Sequence, residues 1–332
     1  MTIRSTRDGE LVSVVIPAYN AEGTIDETLA SVREQTHRAL EILVVDDGSS
    51  DATAARVEAH AAADPRVRLI RQENGGVAKA RNTAIAAAKG AFIAPIDADD
   101  LWRPDKIERQ LRAIVEGGAE VGLVYCWSST IDAHGLVTSQ DDTPGYDGDV
   151  IPLLLYGNFV GNGSCALMRK DAVLAVGGYD PSLRARGGQG CEDWKLYLSL
   201  ARTHRFGVVL DYLVGYRRLP EAMSADIPQM LRSDALVRAE MRNAFVHHSK
   251  ELDRGRWLYI SWLLEREIES GTWERCLALL AIAEKEDDNM LRAATRKGRL
   301  RARFALRRLK ARPVRGTPGR PFLAPQLGEI AA

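Results

Sequence analysis

Phe92-Ile93-Ala94-Pro95-Ile96-Asp97-Ala98-Asp99-Asp100 sets an apolar run directly against three carboxylates. An apolar run of this length reads as a buried strand. Carboxylates at the end of such a strand are costly unless something cationic meets them. One reading is a hard divalent cation that also carries phosphate oxygens, since magnesium and manganese are commonly held by one or two carboxylates plus substrate phosphates. The other is a strand end followed by a helix cap, because Asp caps helices well. The cap reading accounts for Asp100 ahead of Leu101-Trp102-Arg103-Pro104, but poorly for Asp97 and Asp99 together.

Upstream, Leu11 to Ile16 is a β-branched run closed by Pro17, with Ala18-Tyr19-Asn20 as the loop beyond it. Glu22 to Glu34 has helical spacing, with Ile25, Leu29 and Val32 in step. Leu40 to Val45 reads as a second strand, ending in Asp46-Asp47-Gly48-Ser49-Ser50-Asp51 before an Ala-rich helix to about Ala63. Val67 to Ile70 is a third strand, and Asn74-Gly75-Gly76 opens a helix over Val77 to Lys89. Sustained strand–helix alternation predicts an α/β fold with a mostly parallel central sheet flanked by helices. In such sheets ligands bind beyond the carboxyl ends of the strands. Tyr19-Asn20, Asp46-Asp47 and Asp97-Asp99 all fall at those ends. Neither GxGxxG nor GxxxxGK[ST] is present, so the phosphates of a bound nucleotide would need a metal, which points back to Asp97 and Asp99.

The 332 residues suffice for one large domain or two ordinary ones. Lys plus Arg equals Asp plus Glu at 45 each, so total charge selects no class of partner. The four cysteines are scattered, with neither zinc spacing nor a disulfide framework. The N-terminus lacks an apolar signal core and no run is long enough to span a bilayer. The expected compartment is the cytoplasm, with peripheral attachment to the inner face of a membrane as an option.

VSVVIPAYNAEGTIDETLASVREQT, EILVVDDGSSD and NGGVAKARNTAIAAAKGAFIAPIDADD together resemble the family-2 inverting glycosyltransferases of the GT-A fold, a Rossmann-like sheet with flanking helices. The resemblance runs over roughly residues 11 to 220. It implies a nucleotide-diphosphate sugar donor, commonly UDP-linked, and Mg2+ or Mn2+ held through a DxD motif. Asp97-Ala98-Asp99 matches that motif, with Asp99 the principal metal ligand and Asp97 near ribose or metal. Pro17, Ala18, Tyr19 and Asn20 fall in the nucleotide pocket, and Asp47 is placed to accept from the uracil imide. Gly75, Gly76, Lys79 and Arg81 match the segment that approaches the nucleotide from the side. The chemistry agrees, since a fixed carboxylate pairs well with the uracil N–H and a cation can neutralise diphosphate charge. A Lys or Arg early in a helix is otherwise simply solvated.

Downstream, Asp105 to Glu116 reads as a helix and Val121 to Trp127 as a buried strand. A hairpin follows around Asp132 to Gly135, in which His134 is solvated. The Gly/Pro/Asp-rich loop Asp141 to Asp149 and the stretch Leu183 to Gly190 read as lids. Glu192-Asp193 opens a helix, where carboxylates are favoured by the helix dipole alone. The resemblance instead makes this pair the catalytic centre, with Asp193 the base and Glu192 in support, because inverting transfer needs one carboxylate to take the acceptor proton. Trp194 is either a platform for a sugar face or core. No QxxRW motif follows, which favours transfer of one sugar over polymer synthesis. Against the family pattern, the His expected near Arg217-Arg218 is missing, with Leu219 or Pro220 in its place, which leaves Arg217, Arg218 or Ser224 for the metal and diphosphate contacts; Trp194, Arg217 and Arg218 fall on the acceptor and lid side.

The expected organisation is a catalytic domain over 1–225, a helical region over 226–312, and a disordered Pro/Gly-rich tail over 313–332. Within the helical region, Arg292 to Arg315 is basic and lacks acidic residues between its cations, with Leu300, Phe304, Leu306 and Leu309 interleaved. This reads as a contact for anionic lipid rather than for nucleic acid, and a solvated helix end is the bland alternative. The expected partners are therefore the sugar donor, a glycan or lipid-linked acceptor, and an anionic membrane surface. The alternatives in function are a non-catalytic nucleotide-sugar or glycan-binding module and a nucleotidyltransferase. The latter normally carries a basic glycine-rich loop near the first strand, which PAYNAEGT is not.

Overall fold

The computed structural model describes residues 9–140, 145–219, 223–270, 279 and 320–323. The first half alternates as its apolar runs require: β1 (Val12–Ala18), α1 (Ile25–Arg33), β2 (Leu40–Asp46), α2 (Thr53–Ala63), β3 (Val67–Arg71), α3 (Val77–Ala87) and β4 (Phe92–Pro95). Then come β5 (Leu101–Trp102), α4 (Lys106–Glu116), β6 (Val121–Ile131), β7 (Val137–Gln140), α5 (Ile151–Leu154) and β8 (Ala166–Arg169). The chain continues through α6 (Lys170–Ala175), α7 (Ser182–Ala185), α8 (Glu192–Ala201), β9 (Arg205–Arg217), α9 (Ile227–Ala244) and α10 (Ser249–Ser270).

One sheet runs β3-β2-β1-β4-β8-β6-β9-β5, with β7 beside β6. β1 to β4 pair in parallel, and β6 and β9 share their direction, while β5, β7 and β8 run against it. This is a mixed α/β sheet flanked by helices, parallel through its first four strands. Nearly every residue of β1 and β2 is buried, as strands covered on both faces demand. Because β8 runs backwards, its N-terminal end meets the C-terminal ends of β1 and β4. The loop before β8 is thereby delivered to the polar edge where Asp97 and Asp99 emerge.

Several expectations are corrected. α1 starts at Ile25, not Glu22, because Glu22 is drawn into a clasp: its N–H donates to Asp51 Oδ2 and its carboxylate accepts from Ala52 N. Asp100 caps no helix; β5 follows it, and α4 is entered from Asp105. The stretch 183–190 is not a free lid. It includes the end of α7, Gly188 packs on Ser233 and Leu236, and Gly190 packs on Met230. Arg186 and Lys195 both pair with Asp180 and Glu240, which ties α7 and α8 to α9. α9 and the start of α10 share the main core through Val237, Met241, Phe245 and Leu252. The tail is ordered at 320–323, where Phe322 is buried against Leu101 and Ile131. Asp141, Cys276 and the basic run from Arg292 to Arg315 lie outside the described residues. No helix among the described residues is long and apolar enough to cross a membrane.

Candidate active site

The acidic turn after β4 divides its three carboxylates among different tasks. Asp100 is fully buried; its Oδ2 accepts from Ser164 Oγ and its Oδ1 from Arg217 N at 2.9 Å. Burial first, then the charges of Asp99 and Asp97, push its carboxyl well above the usual range. Ser164 Oγ also accepts from Asp97 N at 3.0 Å, so the loop before β8 grips the turn from beneath. Arg217 completes the grip by donating from Nε to Asp99 O at 2.7 Å. The Asp99 carboxylate accepts only its own backbone N–H among the described residues, and burial followed by the Asp97 charge pushes it up to about 7. The two carboxylates are close enough for the Asp97 charge to act on Asp99, and hard oxygen donors of this kind are what magnesium or manganese takes. Among the described residues no three His, Cys, Asp or Glu side chains are grouped to hold a metal. Substrate phosphate and water would have to supply the other ligands.

Arg81 joins this turn to the second acidic pair. Its Nη2 donates to Asp97 Oδ1 and its Nη1 to Glu192 Oε1 at 3.3 Å, and its guanidinium lies 5.1 Å from the centre of the Tyr179 ring. It is only 2% exposed. The expectation of a cation free to meet a diphosphate is therefore corrected: its charge is already shared between two carboxylates. The fit is close, because a Cβ on Gly163 would lie 2.6 Å from Arg81 Nη2.

Glu192 Oε2 accepts from Gly190 N at 2.8 Å, and Asp193 Oδ1 accepts from Trp194 N at 2.7 Å. Asn158 Nδ2 donates to Asp193 Oδ2 at 3.2 Å. Burial, then the Glu192 charge, push Asp193 up to about 7 against the pull of Arg81. A carboxyl tuned to that range suits proton transfer near neutral pH.

The nucleotide-side residues occupy the neighbouring strand ends. Pro17 and Ala18 close β1, and Tyr19 projects 56% exposed. Asn20 has φ 49° and its Oδ1 accepts from Ser50 N at 2.9 Å, so it locks the β1 loop onto the β2 loop. Asp47 is buried and accepts from Gly75 N at 2.8 Å, Gly76 N at 2.7 Å and Gln72 Nε2 at 2.7 Å. Three of its roughly four lone-pair directions are thus taken by the loop ahead of α3. Lys79 is exposed on α3.

The sequence model of Glycosyl transferase family 2 matches residues 13–177, close to half of the chain. Residues 13–177 form a family-2 glycosyltransferase domain. Its relatives include WfgD of Escherichia coli, a UDP-Glc:alpha-D-GlcNAc-diphosphoundecaprenol beta-1,3-glucosyltransferase, 44% identical over 110 residues that make up 33% of this chain and 43% of WfgD. The chain thus matches less than half the length of that relative. Among solved structures, TarS 1–349 of S. aureus in complex with UDP superposes with a TM-score of 0.56 at 22% identity, covering 73% of this chain and 69% of that one. The mannosyltransferase PcManGT of Pyrobaculum calidifontis, in complex with GDP-Man and Mn2+, gives 0.57 at 20% identity, covering 92% and 84%. These two likenesses establish the GT-A fold.

In the family-2 domain and the segments packed on it, two expected acceptor-side residues prove to be structural. Trp194 is 3% exposed and its Nε1 donates to Leu154 O at 2.9 Å, so it is core and not a sugar platform. Arg217 is 1% exposed at the end of β9, where its Nη1 donates to Ala133 O and its Nη2 to Glu27. It buttresses the acidic turn and belongs to no lid. Arg218 beside it is exposed, and Ser224 accepts from the Tyr216 hydroxyl at 2.9 Å. Asn158, Ser164 and Asn162, whose Oδ1 accepts from Ser164 N at 2.9 Å, carry no signal in the sequence by themselves. Their roles depend on strand order, although the glycines around Asn162 signal a close approach. Arg81 carried a readable signal: it shares helical spacing with buried Ala78, Ala84 and Ile85.

Proposed function

We propose that the protein moves one sugar, with inversion, from a UDP-linked donor to a hydroxyl of a glycan or lipid-linked acceptor. The observation that carries this is the Arg81 bridge. It ties Glu192, the chain neighbour of the proton-accepting carboxyl Asp193, to Asp97 on the turn that also carries Asp99. Asp193 takes the proton of the acceptor hydroxyl while that oxygen bonds to the anomeric carbon. The bond from that carbon to the diphosphate oxygen breaks, and its electron pair leaves on the nucleoside diphosphate. Mg2+ or Mn2+ held by Asp99 with Asp97 would neutralise the charge gathering on that leaving group. With Arg217 buried as a buttress, Arg218 and Ser224 are the candidates for the remaining diphosphate contact.

WfgD is a glucosyltransferase with a UDP-glucose donor and a diphosphoundecaprenol acceptor, TarS 1–349 is in complex with UDP, and PcManGT with GDP-Man and Mn2+, all in keeping with this reading. It places the protein in polysaccharide biosynthesis, with a catalytic unit over 1–225 and a helical unit after it. The basic run Arg292 to Arg315 supports peripheral contact with anionic lipid. Flotation with anionic vesicles should fail for a chain ending at Met290, and undiminished flotation would remove that part.

The test is a panel of UDP- and GDP-sugars offered with lipid-linked and free glycans, with Mn2+ or with chelator. Nucleoside diphosphate release and the anomeric configuration of the product are measured. Product with retained configuration, or full turnover in chelator, would sink the reading.

A further inference from the structure

Asp234 and Arg238 lie one turn apart on α9, both buried. Arg238 Nε donates to the two Asp234 oxygens at 3.0 and 2.9 Å. Its Nη1 donates to Leu155 O at 3.0 Å and Leu252 O at 2.9 Å, and its Nη2 to Tyr156 O at 3.4 Å. The flat guanidinium also lies 4.6 Å from the centre of the Trp194 ring. Arg256 on α10 completes the set, its Nη1 donating to Asp234 Oδ2 at 2.7 Å and to Leu231 O at 2.9 Å. A planar fork engaged on every side has one orientation. Stability alone does not account for such a set, since well-packed apolar replacements of buried ionic triads are often neutral or stabilising.

The partners of Arg238 lead to Asp193 by two routes. Leu155 and Tyr156 stand just ahead of Asn158, whose side chain donates to Asp193 Oδ2 at 3.2 Å. Trp194 follows Asp193 in the chain, and its Nε1 is tied to Leu154 O at 2.9 Å. The backbone of α10 presses on the same spot. A Cβ on Gly255 would lie 2.3 Å from Tyr156 O, 2.5 Å from Arg238 Nη1 and 2.6 Å from Leu155 O.

We propose that Arg238 is a positioning residue for transfer: from helices outside the family-2 domain it fixes the Leu154–Asn158 segment and Trp194, and through them the direction of the Asp193 carboxylate. This rests on the reading of Asp193 as the base. The helical pair is then part of the catalytic apparatus and not an appendage to it.

The test uses the full chain with Arg238→Met, Arg238→Lys, Gly255→Ala and, on the exposed side of α9, Arg242→Ala. Steady-state transfer is measured, together with hydrogen exchange of the substrate-free protein. Arg238→Met should lower kcat about ten- to a hundredfold, the scale of a small misplacement of a reacting group, with donor KM within about twofold. Exchange should rise in 151–158 and 191–197 and stay unchanged in β1, β2 and β4. Arg238→Lys keeps the charge without the fork and should not restore kcat. Gly255→Ala should act in the same direction, although glycine to alanine inside a helix ordinarily stabilises. It carries the test if the Arg238 variants do not fold. Arg242→Ala should match the wild type. Unchanged kcat, or exchange rising evenly through the sheet, overturns the proposal. If the wild type transfers no sugar from any donor, the functional reading fails separately. The exchange arm still decides whether Arg238 holds the two segments.

Discussion

Asp99 and Asp193 are both driven up to about 7, each by burial beside a second carboxylate, yet their surroundings differ in kind. Asp193 is furnished with donors: Asn158 Nδ2 and Trp194 N fix both of its oxygens. Asp99 has its peptide held by Arg217 while, among the described residues, its carboxylate accepts only its own N–H. A group held in one orientation is equipped to receive a proton from a defined direction. A group whose backbone is fixed and whose oxygens are open is equipped to receive a cation. The shared number therefore conceals two functions, and the hydrogen-bond partners separate them.

The largest expected effect breaks the base side alone. Asp193→Asn keeps the shape and removes the proton acceptor, so transfer should fall by about 10²- to 10⁴-fold, the usual contribution of a general base. Nucleotide binding measured by calorimetry should persist. Turnover near the wild-type rate would remove Asp193 from its role. Asp99→Ala breaks the other side. It should lower transfer by about 10²-fold or more, since a metal acting on a phosphoryl oxygen contributes several kcal/mol. Here the metal-dependent part of nucleotide binding should weaken as well, and calorimetric binding that keeps its full dependence on Mn2+ would refute the ligand assignment.

Arg81→Met tests whether the two sides are one site. The substitution leaves Asp97 and Glu192 facing each other without the buried cation between them. Removing one partner of a buried pair costs about 3–5 kcal/mol, to be read as a fall in the thermal unfolding midpoint. An unchanged midpoint would show that the carboxylates separate freely and that the bridge does not hold the halves together.

The two sides also differ in how far they could be read before any coordinates. The acidic turn is local: Phe92 to Asp100 carries its apolar strand and its carboxylates in one stretch, and the strand ends at Tyr19 and Asp47 align with it through simple alternation. The base side is assembled from distance. Asn158 reaches Asp193 across 35 positions, and Ser164 meets Asp97 only because β8 runs against β4, a reversal that periodicity does not announce. Arg217 misled, and Trp194 stayed undecided between platform and core, for the same reason. A cation after a strand and an aromatic beside a carboxylate look exposed in sequence, and only the packing of β9 on β6 and of α9 on α8 buries them. Arg81 lay between the two cases, since its helical spacing with buried alanines was legible while its partners were not.

The smallest effect sharpens the comparison most. Asp193 must be ionised to accept a proton, so kcat/KM should be flat above about pH 7 and fall about tenfold per unit below it. Asp99 must be ionised to hold a metal, so metal affinity should fall over the same range as protons compete for the carboxylate. At limiting Mn2+ the acid limb contains both losses. At saturating Mn2+ the metal displaces the proton from Asp99, and that component should move to lower pH. The component from Asp193 should move far less, because burial and the Glu192 and Arg81 charges outweigh that of Asp97 there. A limb that shifts entirely with metal concentration would assign the whole titration to Asp99. A limb indifferent to metal would mean that Asp99 does not bind it, so the profile measured at two metal concentrations separates the two carboxyls by function.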